Sequence, residues 1–205
     1  MSCLAPGSCD LLVTSPPYLN NFDYAEMTRM YLYFWLEAAN WGEITDKVRK
    51  KLIVNTTTAL KGHKDKIDFY RTRTPACVKE DLDGYMLQLT EKRKVKAGKK
   101  EYDYLIYPYF AQMTDVLRSA IRVLKRNAPV HIIVSDAALY GIHIRTQVIL
   151  AKIMETLGFV DVRIDKLRSR GTRWILEKRE GSDEGLGEYH ISSYASSRRS
   201  VDARS

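Results

Sequence analysis

Apolar positions along this chain alternate between short runs of strand length and longer faces at helical spacing. Leu11, Leu12 and Val13 form an apolar run bounded by turn residues, which predicts a short buried strand over Asp10 to Thr14. Ser15-Pro16-Pro17 stops that strand, because proline has no N–H to donate and holds φ fixed. Leu19 to Tyr24 reads as a loop, with Asp23 as a candidate helix cap. Tyr24, Met27, Tyr31, Phe34, Trp35 and Ala38 then fall at helical spacing, and Met30, Leu32 and Tyr33 add apolar surface on other sides. A helix apolar on several faces is expected in the core; the alternative is a helix pressed against another surface.

Trp41-Gly42 is expected to break this helix, with a short basic helix in Thr45 to Ile53 and a longer one over Val78 to Val95, where Leu82, Tyr85, Met86 and Leu89 share a face. From Tyr107 the pattern is regular. Phe110, Met113, Leu117, Ile121 and Leu124 predict an amphipathic helix ending in Lys125 and Arg126, where positive charge suits the helix dipole. Val130 to Val134 predicts a strand, Leu150 to Leu157 a helix that Gly158 ends, and Phe159 to Leu167 an alternating strand. After the turn at Ser169-Arg170-Gly171, Thr172 to Lys178 predicts its antiparallel partner.

This alternation argues for an α/β fold with a mainly parallel sheet. Residues 1–180 read as one folded unit, with 40–105 as a mostly helical insertion between two halves of the sheet. Residues 181–205 read as a polar tail; Glu188 to Ile191 adds at most a short strand, and Ser192 to Ser205 is expected to be largely disordered.

The composition, 45% apolar and 28% charged over 205 residues, suits one domain with a sizeable core. No stretch approaches about 18 uninterrupted apolar residues, and the N-terminus lacks a basic region followed by an apolar one, so neither a membrane span nor a signal peptide is expected. Cys3, Cys9, Cys77 and the four histidines show no metal-ligand spacing, so no metal site is expected. An odd, sparse cysteine count points to the reducing cytoplasm. The net charge of +8 suits a polyanionic partner. The candidate phosphate contacts are Lys92, Arg93, Lys94 and Lys96, in a run of six basic residues that also reads as a solvated helix end.

Chemistry concentrates where the first strand stops. Ser15-Pro16-Pro17 leaves stiff backbone carbonyls at the carboxyl end of a strand, where open α/β sheets hold ligands, and Tyr18 follows as a flat ring. Carbonyl acceptors beside a stacking ring suit a planar base carrying an amino group. Thr14-Ser15-Pro16-Pro17-Tyr18 resembles the catalytic motif of the DNA amino-methyltransferases, which move a methyl group from S-adenosylmethionine to N4 of cytosine or N6 of adenine. The Ser-Pro-Pro-Tyr form is more similar to the cytosine branch.

The resemblance covers most of residues 10–179, and only the motif and its flanks are specific. It implies an incomplete class I, Rossmann-like methyltransferase sheet with helices on both faces and a closing C-terminal antiparallel strand pair. It also implies a site-specific DNA methyltransferase, of the kind that serves restriction-modification, in which Ser15, Pro16, Pro17 and Tyr18 hold a flipped base while Thr14 and Asn20 touch the cofactor's amino-acid end. The family's glycine-rich loop, which carries much of the methionine end of the cofactor, has no match here. The chain begins just before the strand that would be fourth in the family's sheet, so its catalytic strand is expected to be an unprotected edge. A second chain supplying the cofactor-binding half, self-association or a fragment are the open explanations. An RNA base methyltransferase, a non-catalytic DNA-binding partner subunit and an inactive remnant are the rival readings.

Overall fold

The computed structural model describes residues 3–20, 22–95, 100–169 and 185–196. Its main sheet has four strands in the order β1-β2-β6-β5: Leu12–Thr14, Pro129–Ser135, Gly187–Ala195 and Phe159–Ser169. β1 lies parallel to β2, with Leu12 opposite Val130 and Thr14 opposite Ile132. β6 runs antiparallel to both of its neighbours. Strands β1, β2 and β5 therefore point one way and β6 the other. The expectation of a mainly parallel sheet is corrected on this point: among the described pairings β1–β2 is parallel, while β2–β6 and β6–β5 are antiparallel.

The closing antiparallel pair is present, with a different second member. β5 pairs with Gly187–Ala195, with Ile164 opposite Ile191 and Lys166 opposite Tyr189. Thr172 to Lys178 lies outside the described residues. The expected tail is likewise corrected over Gly187–Ala195, which sits inside the sheet between β2 and β5. Its polar composition disguises a strict alternation: Ile191, Ser193 and Ala195 are buried, while His190, Ser192 and Tyr194 face the other way. Small inward residues there let the strand fit against the core.

That core is shared by long helices and the sheet. In α6, Ile106–Val123, residues Tyr107, Tyr109, Phe110, Met113 and Leu117 are buried; in α7, Thr146–Leu157, so are Ile149, Leu150, Ile153 and Met154. They join Val130, Ile132 and Val134 of β2 in one cluster. Gly158 ends α7 at φ 97°, a left-handed conformation open to glycine. Two further helices, Ile67–Arg73 and Lys79–Val95, belong to the segment read as an insertion (α4 and α5). Its Val54, Leu60, Val78, Leu82 and Leu89 lie in the same cluster, so that segment is built into the core. A hairpin of β3, Ala137–Leu139, and β4, Ile142–Ile144, follows β2. Its two-residue turn has Tyr140 at φ 52° and Gly141 at φ 82°, the doubly positive pattern that fits strand twist.

The aromatic helix differs most from expectation. It is two short pieces, α1 over Tyr24–Met27 and α2 over Arg29–Phe34. They part at Thr28, whose hydroxyl donates back to the Ala25 carbonyl at 3.0 Å. Met30, Tyr31, Phe34 and Trp35 are 69–76% exposed, so the core placement of this segment is overturned. Asn40 then caps α3, Trp41–Lys47, by accepting from the Glu43 N–H at 3.0 Å. Trp41 and Gly42 thus open a helix where a break was expected.

The two faces of the sheet also differ. Val130, Ile132 and Val134 of β2 are fully buried against the helices, whereas His131 and Ile133 on the opposite face are half-buried. On that second face Val13 is 65% exposed, with Val160 and Tyr194 also exposed. Helices on both faces are therefore not what the described residues show. Nor is β1 the buried strand expected, since it pairs along one edge and has no described strand on the other.

Candidate active site

The carboxyl ends of β1, β2 and β5 and the start of β6 share one end of the sheet, and Ser15 to Tyr18 leaves β1 there. Pro16 is buried and Ser15 exposed. The loop is fixed from below by residues far away in sequence. Tyr109 of α6, wholly buried, donates its hydroxyl to the Pro17 carbonyl at 2.9 Å. Burial pushes that phenol far above its ordinary range. The Tyr18 carbonyl accepts from the Asn20 N–H at 2.8 Å and from the Asn55 side-chain amide at 3.2 Å. Asn55, itself buried, also donates to the Phe22 carbonyl at 2.8 Å.

These bonds use the carbonyls of Pro17 and Tyr18. The carbonyls of Ser15 and Pro16 have no hydrogen-bond partner among the described residues. Two proline-stiffened acceptors are thus left free at a strand end, beside an exposed hydroxyl. A ligand presenting an amine's two N–H donors satisfies them.

Tyr18 is anchored at its far end. Its hydroxyl donates to Glu188 Oε1 at 2.8 Å, and Arg168 Nε donates to Glu188 Oε2 at 2.6 Å. Burial raises the Tyr18 phenol above its usual range; the nearby Ser15 side chain works against that rise, and the Glu188 carboxylate adds to it. Because Arg168 and Glu188 are cross-strand partners on β5 and β6, the ring's anchor depends on the part of the chain expected to be tail. Beside it, the buried Asp136 accepts from the Gly187 N–H at 2.8 Å and pairs with His143 Nε2 at 2.6 Å. This ties the β3–β4 hairpin to the start of β6. A Cβ at Gly187 would come within 2.6 Å of the outer end of the Tyr189 ring, so a larger residue there would have to push that ring aside.

The other side of the loop closes on an ion pair. Asp23 caps α1 at the Glu26 N–H, accepts from Thr58 at 2.8 Å, and pairs with Arg49 at 3.1 Å. Burial works to raise the Asp23 carboxyl, but these hydrogen bonds and the guanidinium outweigh it and hold the carboxyl below its ordinary range. Arg49 also lies 4.5 Å over the Trp41 ring.

Ser15, Pro16, Pro17 and Tyr18 are therefore brought together with Asn20. Asn20 Oδ1 is engaged with the Phe22 N–H at 3.2 Å, in the turn that follows Tyr18. Thr14 sits in the β1–β2 ladder. The basic residues lie elsewhere, at the C-terminal end of α5. Arg93 is turned onto the buried Asp103 at 3.0 Å and over the Tyr104 ring, which is a structural engagement. Lys94 is exposed and pairs with Glu91, and Lys92 is half-buried. Lys96 lies outside the described residues. The sequence reading missed Glu188, Arg168, Asn55 and Tyr109, whose only local signal is polarity or an aromatic at helical spacing.

Among the described residues no helix is long and apolar enough to cross a membrane, and no group of three or more His, Cys, Asp or Glu is placed to hold a metal. No protein-family model matches the chain, and no solved structure matches it. The chain is similar to two curated proteins, each described as "Type II methyltransferase M.AvaI", from Nostoc sp. (strain PCC 7120) and Anabaena variabilis. Each is 29% identical over 152 residues, covering 73% of this chain and 30% of the relative. The chain thus matches under a third of the length of two type II methyltransferases.

Proposed function

We propose that this chain is the target-binding half of a DNA amino-methyltransferase that acts with S-adenosylmethionine, and that its product is N4-methylcytosine. The observation that carries the reading is the pair of Ser15 and Pro16 carbonyls, without a partner among the described residues, beside the Tyr18 ring at a strand end. A base flipped from the duplex stacks on Tyr18, and its amine donates to these carbonyls and to the Ser15 hydroxyl. Those acceptors draw the amine towards tetrahedral geometry and free its lone pair. The chemistry is positioning and electrostatics, with no covalent enzyme intermediate. The two similar type II methyltransferases support the same class of reaction.

The described residues fit the target better than the cofactor. Thr14 and Asn20 stand near the site, yet no glycine-rich turn follows β1, β2 or β5 among the described residues to receive the rest of the cofactor. S-adenosylmethionine supplies an electrophilic methyl group when bound, and the surface that holds it comes mainly from residues outside this set. The β1 edge and the sheet face that no described element covers, with the exposed aromatics of α2, are where the rest of such an enzyme docks, whether from the same polypeptide or from a second one. The phosphate contacts fall to Lys92 and Lys94, on the end of α5 that Arg93 holds, and to Lys96, which lies outside the described residues.

Transfer of labelled methyl to duplex DNA and to RNA, followed by nucleoside analysis, tests the reading. The expected result is N4-methylcytosine in DNA, formed by the chain together with a cofactor-binding half and lost on Ser15→Ala. Labelled N6-methyladenine reassigns the base, label in RNA alone reassigns the substrate, and no label in any preparation refutes the enzyme.

A further inference from the structure

The residue that anchors Tyr18 is itself set in place by a buried cluster. Glu188, whose Oε1 accepts from the Tyr18 hydroxyl at 2.8 Å, follows Gly187 at the start of β6. Both backbone polar groups of Gly187 are held. Its N–H donates to Asp136 Oδ1 at 2.8 Å. Its carbonyl accepts from the Asp136 N–H at 3.3 Å and from the Ser135 hydroxyl at 2.9 Å. That carbonyl belongs to the peptide bond joining Gly187 to Glu188, so the backbone is fixed up to the Glu188 nitrogen. The other Asp136 oxygen, Oδ2, pairs with His143 Nε2 on β4 at 2.6 Å.

Ser135 and Asp136 are wholly buried at the end of β2. A carboxylate taken out of water costs stability unless it is paired and hydrogen-bonded, and a neutral residue would end the strand at less cost. Here the buried charge faces the backbone that carries Glu188. The Glu188 side chain is held separately, by Arg168 Nε at 2.6 Å from its cross-strand position on β5. We propose that Asp136, supported by Ser135 and His143, is the positioning residue for Glu188, and that through Glu188 it sets where the Tyr18 ring stands at the strand-end site. Its bearing on methylation rests on the base-stacking reading above. A shift of the Gly187 peptide moves the Glu188 carboxylate, and the ring follows its hydroxyl.

The rival role for Asp136 is to hold β2, β6 and the hairpin together and nothing more. Thermal stability does not separate the two, because Asp136→Ala loses buried bonds in both. The state of Tyr18 does. In the chain alone, with ring-labelled tyrosine and Tyr18→Phe to assign the signal, Glu188→Gln should lower the pH at which the Tyr18 phenol titrates, since the carboxylate raises it. Asp136→Ala should lower it too, and no further when combined with Glu188→Gln, because both changes then act through one contact. Asp136→Asn should restore the wild-type titration: its carboxamide oxygen accepts from the Gly187 N–H, and its amide donates to His143 Nε2 in the other tautomer. Where Asp136→Ala does not fold, Ser135→Ala, which leaves the Asp136 N–H on the Gly187 carbonyl, should give a smaller shift in the same direction. In the preparation that methylates DNA, Asp136→Ala should lower kcat about 10-fold, within the ~100-fold that a misplacement of about 1 Å can cost. KM for DNA should change less, and in a Tyr18→Ala background the loss should vanish. A Tyr18 titration that neither Asp136→Ala nor Ser135→Ala moves overturns the positioning role, whatever the activity. Shifts that add in full to that of Glu188→Gln overturn it as well and leave Asp136 a structural tie. A moved, non-additive titration in a preparation that methylates no nucleic acid keeps the positioning role and removes the methylation reading.

Discussion

Two aromatic-rich segments lie close together in this chain and are treated in opposite ways by the fold. In the Ser15–Tyr24 loop, each tyrosine uses its hydroxyl. Tyr18 reaches Glu188, Tyr24 approaches the Tyr18 N–H at 3.4 Å, and Tyr109 rises from α6 to hold Pro17. A few residues later, Tyr31, Phe34 and Trp35 present their rings to the surface. Ring content is alike in both. The difference lies in polar partners that arrive from distant sequence: α6, the Asn55 segment and β6 all converge on the first segment. None of the contacts that enclose the loop reaches the outer faces of α2.

Breaking the anchored segment should have the largest effect, on activity. A ring stacked on a flipped base contributes about 1–3 kcal/mol by alanine substitution, so Tyr18→Ala should slow methyl transfer about 5- to 150-fold. Because the ring also packs on the core and donates to Glu188, a modest fall in melting temperature should accompany it. Tyr18→Phe keeps the stacking face and loses the tie to Glu188, so its loss should be smaller but measurable.

Tyr109→Phe should act on stability. It leaves the Pro17 carbonyl without its buried donor, at a cost of about 1–3 kcal/mol. At about 2–4 °C per kcal/mol for a chain of this size, thermal unfolding would show the loss.

The Asp23–Arg49 pair gives a smaller, pH-dependent effect. The Asp23 carboxyl is held below its unfolded value of about 3.9, so its stabilisation is complete above that value and fades as pH falls through the folded one. Melts of wild type and Asp23→Asn between neutral and strongly acid pH should differ most at the neutral end and converge at the acid end.

The α2 surface should be least sensitive. Phe34→Ser with Trp35→Ser should leave the stability of the isolated chain within about 0.5 kcal/mol, because neither ring is buried. If these rings are a docking surface, the same double variant should lower methylation at limiting concentration of the second chain and recover at excess. A large loss of stability would instead place the rings in the core.

Legibility in the sequence followed the same division. The helix over Ile106–Val123, the strand over Pro129–Ser135 and the glycine stop at Gly158 were readable because periodicity and punctuation agree there. The Ser15-Pro16-Pro17-Tyr18 loop was readable because proline dictates backbone geometry locally. β6 was not, because Ser193 and Ala195 face inward without being strongly apolar, and a polar, glycine-containing approach masks the alternation. The β3–β4 hairpin was hidden by a Tyr140-Gly141 turn in place of the usual asparagine–glycine signal. The exposure of α2 could not be read from spacing at all, since an apolar helix carries no mark of what covers it. Glu188 is 170 residues from Tyr18, a separation that no local pattern spans.

The β1 edge, which carries no described strand, bears on how such an enzyme would respond to gene dosage. If the half that covers this edge is a separate polypeptide, the active species is a pair, and its abundance follows the product of two concentrations over a dissociation constant. Halving both polypeptides then cuts methylation about fourfold in the weak-binding limit, where a single-chain enzyme loses about half. Methylation of the host's sites would become a thresholded property of expression, steep when the two chains are scarce and flat once they saturate each other. Titrating the two chains against each other at a fixed cofactor level would reveal that curvature directly.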